Sequence, residues 1–414
     1  MEIVIYVVLA SFTLSACSER INYTGYAVKR ITPKTESQLA ALKQLENIGA
    51  LFWKEPSARG RPADVLLPPN LQGEMVNILK AMGSTVENLI ENIQVLIDNE
   101  ESAAKRTGQF GWTAYSSFEE INAFLLEQHE KHPNYTRLFS IGKSFEGRDL
   151  LVFKISRGSK PKKSIWLDAN IHAREWITSA VATFTINELL NGERTGWTRD
   201  FDWYILSILN PDGFVYTKTN NRLWRKTRST GLRCIGADAN RNFGFHWMES
   251  GSSNNPCSET YGGKSAFSEL ETQALRDYIP SISKHLVGYI SLHSYSQLIL
   301  LPYGHSNKHI PQYDTYMDLG HRIAQATATR YQTMYTTGNI VDLLYAASGG
   351  SMDWVKGTHN INLTLTFELR DTGRYGFLLP PTEIIPTAEE FLDGLEVIVQ
   401  SLRDGIITPD FKEH

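Results

Sequence analysis

Five runs of this chain, Leu150–Ile155, Ser164–Ala169, Trp203–Leu209, Leu286–Leu292 and Ile361–Phe367, are apolar on both faces rather than at alternate positions. Strands of that kind must be covered above and below, which a parallel or mixed sheet achieves with flanking helices. The stretches between them carry helical patterns: Ser116–His129, Glu175–Leu190, Ser268–Tyr278, Met317–Arg330 and Thr387–Leu402. Capping boxes are expected at Ser116/Glu119, Ser268/Glu271 and Thr387/Glu390. The last helix sets Phe391, Leu395, Ile398 and Leu402 on one face. The expectation is an α/β domain with a mixed central sheet flanked by helices. At 414 residues the chain is long enough for two or three domains.

The first hundred residues are patterned differently. Tyr26–Val28, Leu51–Trp53 and Ile93–Ile97 read as strands, Glu36–Glu46 and Leu71–Met82 as helices, and Pro62–Pro69 as turn and strand. Together they predict a small α+β unit. Asp98–Arg106 is charged and lacks large apolar side chains, so it reads as an exposed linker. Lys105-Arg106 inside it is a target for a trypsin-like protease, or else two ordinary surface basic residues. The apolar run Ile3–Ala16 is shorter than the roughly 20 residues a membrane span needs and suits a secretory h-region. An uncleaved anchor is the alternative. Removal of residues 1–17 leaves Cys234 and Cys257, an even pair that reads as one disulfide worth on the order of 3 kcal/mol. Two unpaired buried thiols are the other reading. Asn22, Asn134 and Asn362 begin N-x-[ST] sequons, the last inside an apolar strand pattern that argues against access. Lys plus Arg total 41 against 45 acidic residues, a balance that argues against a dedicated nucleic-acid binder.

Chemistry concentrates where strands end. The run Asp168-Ala169-Asn170-Ile171-His172-Ala173-Arg174-Glu175-Trp176 closes an apolar strand and opens a helix, the place where open α/β sheets bind ligands. His172 and Glu175 can converge on one ion, but a catalytic zinc needs a third ligand. His293 ends another apolar strand and fits, although a lone histidine there is commonly just hydrogen-bonded in the core. Glu368 closes Leu363–Phe367 and reads as a general base acting on water at a metal, or as a salt-bridge partner of Arg370 or Arg374. The turn Asp238–Asn242 places Asn240 and Arg241 where a carboxylate could be gripped in bidentate fashion. His129-Glu130-x-His132 lacks the i, i+4 spacing of a metal-binding helix and reads as a solvated helix end. Neither a G-x-S-x-G elbow nor a G-x-G-x-x-G loop after a strand occurs.

Seven ordered motifs then stand out: His172–Trp176, Asn210–Gly213, Asn221–Arg228, Asp238–Asn242, His293–Ser296, Tyr345 with Ser348–Ser351, and Thr366–Gly373. In these the chain resembles the zinc carboxypeptidases of the pancreatic carboxypeptidase A/B type, secreted as proenzymes. The resemblance implies one zinc ion held by His172, Glu175 and His293, with Glu368 as base and Arg225 stabilising the oxyanion. It implies substrate contacts from Arg174, Asn240, Arg241 and Tyr295, with Tyr345 as a mobile cap. Met352 aligns with the pocket floor, and Ile340, Leu344, Ala347 and Thr366 with its walls, so aromatic or aliphatic C-terminal residues are expected. The implied organisation is a signal peptide over 1–17, a ferredoxin-like activation pro-domain over 18–106 released by cleavage at Arg106, and a catalytic domain over 107–414. Implied partners are peptide C-termini and a trypsin-like activator, with no nucleic acid and no membrane, in an extracellular monomer. The competing function is a catalytically silent homologue that binds peptides.

Overall fold

A computed structural model describes residues 20–104, 110–158 and 162–407. Among the described residues twelve strands form two sheets. The first contains β1 (Ala27–Thr32), β2 (Leu51–Lys54), β3 (Ala63–Leu67) and β4 (Thr85–Ile90), in the order β2-β3-β1-β4, with every neighbour antiparallel. One face packs Ile31, Val65 and Leu67 against Leu42, Leu45 and Leu79 of its own helices. The opposite face packs Val28, Trp53, Leu66 and Ile90 onto Leu223, Tyr295, Phe377 and Leu378 of the larger unit. This small sheet is therefore apolar on both sides because it has two things to cover.

The second sheet contains β5 (Thr136–Lys143), β6 (Asp149–Ile155), β7 (Ser164–Ala169), β8 (Asp202–Leu206), β9 (Leu286–Ser294), β10 (Leu298–Leu301), β11 (Thr336–Asn339) and β12 (Leu363–Leu369). Its order is β11-β10-β12-β9-β7-β8-β6-β5. The four central strands, β12, β9, β7 and β8, run parallel, while β10, β6 and β5 pair antiparallel with their inner neighbours. Helices Trp176–Leu190, Tyr313–Tyr331 and Ile384–Arg403 cover one face, and Leu270–Ile282 and Ser351–His359 the other. The expected mixed sheet between helices is present. Cys234 and Cys257 are joined, with their Cα atoms 5.1 Å apart.

Several local expectations fail for identifiable reasons. Ile93–Ala104 is a helix, not a strand followed by a linker. Ile93, Ile97 and Glu100 lie on one buried side at helical spacing, and the pattern is hidden because Glu100 is charged. Glu100 is buried against Arg222, its oxygens 2.7 and 3.0 Å from the guanidinium. Arg106, the expected cleavage point, and the signal segment 1–17 lie outside the described residues. The first capping box is Ser117/Glu120, one residue later than expected. The helix after Ser268 begins at Leu270 without a side-chain cap, and Thr387 lies inside its helix, donating to the Glu383 carbonyl. The strand expected to run to Leu209 stops at Leu206. Strands β4, β5 and β11, short or polar at sheet margins, carry no strong apolar signal, and the four-residue apolar strand β10 was not anticipated.

Glu271 is fully buried beneath the β5–β6 turn, with Oε2 unpartnered and Oε1 only 3.5 Å from the Phe145 amide. Burial pushes its carboxyl from 4.5 up to about 8, and the nearby carboxylates of Asp212 and Glu269 add to the rise. Native protein thus holds a proton that the unfolded chain releases near 4.5. Between these values stability falls as pH rises, because the unfolded state binds fewer protons. Glu271→Gln should flatten this loss. The urea midpoint of the variant should drop less between pH 5 and pH 8 than that of the parent, and equal drops would show the group is solvated.

Candidate active site

Parallel register places the chemistry. In the pairing of β12 with β9, Glu368 stands opposite His293, and in the pairing of β9 with β7, Leu292 stands opposite Ala169. His172 follows β7 by three residues, after Asn170 has turned the chain with φ of 57°. Glu175 sits at the N-cap of the helix Trp176–Leu190. Three strand ends and one helix start therefore share a rim.

His172 Nδ1 lies 2.8 Å from Glu175 Oε1 and 3.2 Å from His293 Nδ1, and His293 Nδ1 lies 3.4 Å from Glu175 Oε2. All three side chains are buried. Two imidazole nitrogens at that separation, with a carboxylate beside them, fit one small cation: donors about 2.0–2.1 Å from a tetrahedral ion lie about 3.3 Å apart. The nitrogen-rich set with one carboxylate suits zinc. His172 presents its other nitrogen to Asp238 Oδ1 at 3.2 Å, leaving Nδ1 free to face the cluster. Burial and the Arg225 charge hold the His172 pKa below its ordinary value. For Glu175 burial alone would raise the pKa, but the two histidines together bring it well below the usual carboxylate range. Burial pushes Glu368 up to about 8, against the opposing influence of His293 and Arg225.

Asp238 organises the cations. Its Oδ2 accepts from Arg225 Nε and Nη2 at 3.1 and 2.7 Å and lies 3.8 Å from Arg241 Nη1. Although buried, it stays well below the ordinary aspartate value through the charges of Arg225, His172 and Arg241. Sequence reasoning placed Asp238 in a polar turn without giving it a role. Arg241 is further fixed by the Gly251 carbonyl, and Asn240 Oδ1 accepts from Ser351 N at the start of a helix.

Asp238 excepted, these groups line one cleft. Of the expected residues, His172, Glu175, His293, Glu368, Arg225, Asn240, Arg241, Tyr295, Tyr345, Met352, Ile340, Leu344, Ala347 and Thr366 all lie on its wall. Arg174 does not: it is buried behind the wall, 3.2 Å from Glu259 and over the Phe377 ring. The salt bridge of Glu368 with Arg370 is absent, since Arg370 pairs with Glu383 and Glu390. Leu300 and Phe377 join the wall unanticipated. So does Asp353, adjacent to Met352, but its oxygens are taken up by the amides of Gly304 and His305 and by the His305 ring.

The small domain reaches into the same cavity with Trp53 and Lys54. Trp53 packs edge-on to Tyr295 and beside Phe377. Asp64, fully buried, accepts from Tyr295 Oη at 2.7 Å and from Arg30 at 2.7 and 2.8 Å. Arg61 donates to the carbonyls of Val341, Asp342 and Leu344 at 3.0, 2.7 and 3.0 Å, just before Tyr345. Burial raises Glu55, at this seam, to about 7 against the opposing charges of Arg225 and Arg241.

Comparison with known proteins agrees with this geometry. A family model described as "Zinc carboxypeptidase" matches residues 121–394, and one described as "Carboxypeptidase activation peptide" matches residues 29–100. "Zinc carboxypeptidase A 1" of Anopheles gambiae is 38% identical over 394 residues, covering 92% of this chain and 91% of its own. "Carboxypeptidase A1" of Bos taurus is 38% identical over 410 residues, covering 95% of this chain and 97% of its own. The crystal structure of carboxypeptidase A from Helicoverpa armigera superposes with a TM-score of 0.84 at 30% identity, over 92% of this chain and 98% of that one. The chain belongs to the zinc carboxypeptidase family and is a metallocarboxypeptidase that carries its activation peptide.

Asp238 gives this site a test independent of activity. Truncating it by Asp238→Ala leaves Arg225, only 8% exposed, as a buried cation without the oxygen that accepts from two of its nitrogens. Breaking a buried pair in this way costs about 3–5 kcal/mol. Chemical denaturation should register that loss, and a variant within about 1 kcal/mol of the parent would mean that water or Glu175 replaces the partner.

Proposed function

We propose that this chain is the secreted precursor of an exopeptidase that removes single aromatic or aliphatic residues from peptide C-termini. The observation that carries the reading is one cavity with the His172–Glu175–His293 cluster at one side, Arg241 at another and apolar Met352 below. In this reading His172, Glu175 and His293 hold one zinc ion. When bound, the ion supplies Lewis acidity, polarising the scissile carbonyl and acidifying water beside it. Glu368 takes the proton of the attacking water and returns it to the leaving amine. Arg225, held by Asp238, donates to the developing oxyanion, a contribution of roughly 3–4 kcal/mol.

Arg241 and Asn240 receive the terminal carboxylate, and that requirement restricts cleavage to the chain end. Tyr345, 5.9 Å from the Arg241 guanidinium, closes over the bound residue and excludes water. Burying an aromatic or branched side chain among Ile340, Leu344, Ala347, Met352 and Thr366 contributes about 1.5–3 kcal/mol. Asp353 offers no free charge to a basic substrate because three donors already occupy it. Domain limits of 18–106 and 107–414, a signal peptide over 1–17, activation by a trypsin-like protease at Arg106 and a monomeric enzyme complete the reading. The disulfide supports an oxidising compartment. Among the described residues no helix is long and apolar enough to cross a membrane.

The test is hydrolysis by the trypsin-treated protein of otherwise identical peptides ending in Phe and in Arg. Phe release should dominate and be lost to a chelator, returning with zinc. Met352→Asp should shift preference toward Lys and Arg. Equal or faster Arg release by the parent would refute the pocket assignment.

Inhibition by the pro-segment makes a separate prediction. Arg61→Ala and Asp64→Ala each remove contacts to a charged group worth about 1.5–3 kcal/mol. Hydrolysis of a small substrate by the uncleaved chain should rise roughly tenfold in each variant, whereas unchanged basal rates would place the block elsewhere, at Trp53 or Lys54.

A further inference from the structure

Three sequons occur in the chain, and the fold separates them. Asn362 immediately precedes the buried core strand β12, with its Nδ2 donating to the Ile407 carbonyl and Leu363 and Thr364 wholly enclosed. A sugar there would have to displace the C-terminal end of the sheet cover. Asn22 is exposed, its Oδ1 accepting from Thr24 N, but it lies in the segment discarded on activation. Asn134 is different. It is exposed in the turn between the helix Phe118–Lys131 and β5, on the catalytic side of the chain.

The surroundings of Asn134 form a built hollow. Asn134 borders a groove that Tyr135, Arg137, Lys154 and Ser156 also line. Arg157 lies over the Tyr135 ring at 3.8 Å, and the Ser156 amide binds the Tyr135 carbonyl, so the turn is held rigidly. Arg137 and Lys154 also border a second hollow, which Phe139, Tyr204 and Tyr278 line. Arg137 and Lys154 bring cationic donors to the groove beside Asn134, a lining that suits the ring of hydroxyls on a pyranose. The anchor argues for the occupant: the residue that carries the sequon borders the groove.

We propose that Asn134 is the N-glycosylation site of the catalytic domain and that its first sugars lie in this groove. The proposal rests on the secretory route proposed above. In the transfer, Asn134 Nδ2 forms a bond to C1 of a lipid-diphosphate-linked oligosaccharide. The C1–O bond to the diphosphate breaks, and the amide proton leaves with it. The step precedes folding, because Thr136 is buried in the native protein with its hydroxyl committed to the His132 carbonyl and to His129. Its product is compatible with the fold, because Asn134 itself faces solvent.

The experiment secretes the full chain from a eukaryotic cell behind a heterologous signal and a short tag bearing its own sequon. Glycosylation of the tag reports passage through the modifying compartment, so failure of the native secretory reading is distinguished from failure at Asn134. After trypsin activation, the catalytic fragment should lose one glycan on enzymatic deglycosylation, with Asn134 converted to Asp by mass spectrometry. Asn134→Gln should abolish that shift. Removing the glycan from the folded fragment should lower Tm by about 2 °C, as expected if sugars fill the groove. A modified tag with Asn134 unmodified, or a glycan found at Asn362, overturns the site. A modified Asn134 whose deglycosylation leaves Tm unchanged overturns the seating in the groove.

Discussion

Parallel strands end on the same side of a sheet, and adjacent strands lie about 4.8 Å apart. That geometry lets β7, β9 and β12 deliver His172, His293 and Glu368 to one rim from points separated by up to about two hundred residues of chain. No local segment could do so. The cost is a crowded set of buried polar groups: two imidazole nitrogens 3.2 Å apart with a carboxylate beside them. A divalent cation is the natural resolution of such crowding, and the family to which the chain belongs is built around one.

Charge balance around that rim runs through Asp238. One buried carboxylate orients a histidine of the cluster and neutralises Arg225, with Arg241 near. The same residue therefore links the proposed metal, oxyanion and carboxylate-binding groups. In a site of low dielectric such fixed partners need no reorganisation as charge develops. The pocket below is apolar by the same bookkeeping of charge, since Asp353 is near enough to matter but fully hydrogen-bonded.

The activation peptide explains why its small sheet is apolar on both faces. One side covers its own helices, and the other lies over the catalytic rim with Trp53 between Tyr295 and Phe377. Two contacts then fix the docking: Tyr295 donates to Asp64, which Arg30 holds in place from within the small domain, and Arg222 pairs with Glu100. Proteolysis that releases the segment would expose these charges to water, which favours separation once the chain is cut.

Much of the fold and most of the site were legible in the chain. Continuous apolar runs require a sheet covered on both faces, and strand-end polar clusters at His172, His293 and Glu368 mark where ligands bind. The cysteine pair followed from parity. What could not be read locally was anything whose pattern is completed by a distant partner. Ile93, Ile97 and Glu100 look like a strand and a linker until Arg222 makes a buried charge acceptable on a helix. Arg174 shares a motif with the cluster yet turns behind the cavity wall toward Glu259 and Phe377. Asp238 is an unremarkable turn aspartate until Arg225, Arg241 and His172 converge on it. Sequence alone determined which residues have the chemistry and which strands must be buried, because residue type and periodicity are local properties. Tertiary structure alone decided which of them face one another, because that depends on strand order and register, which no single segment contains.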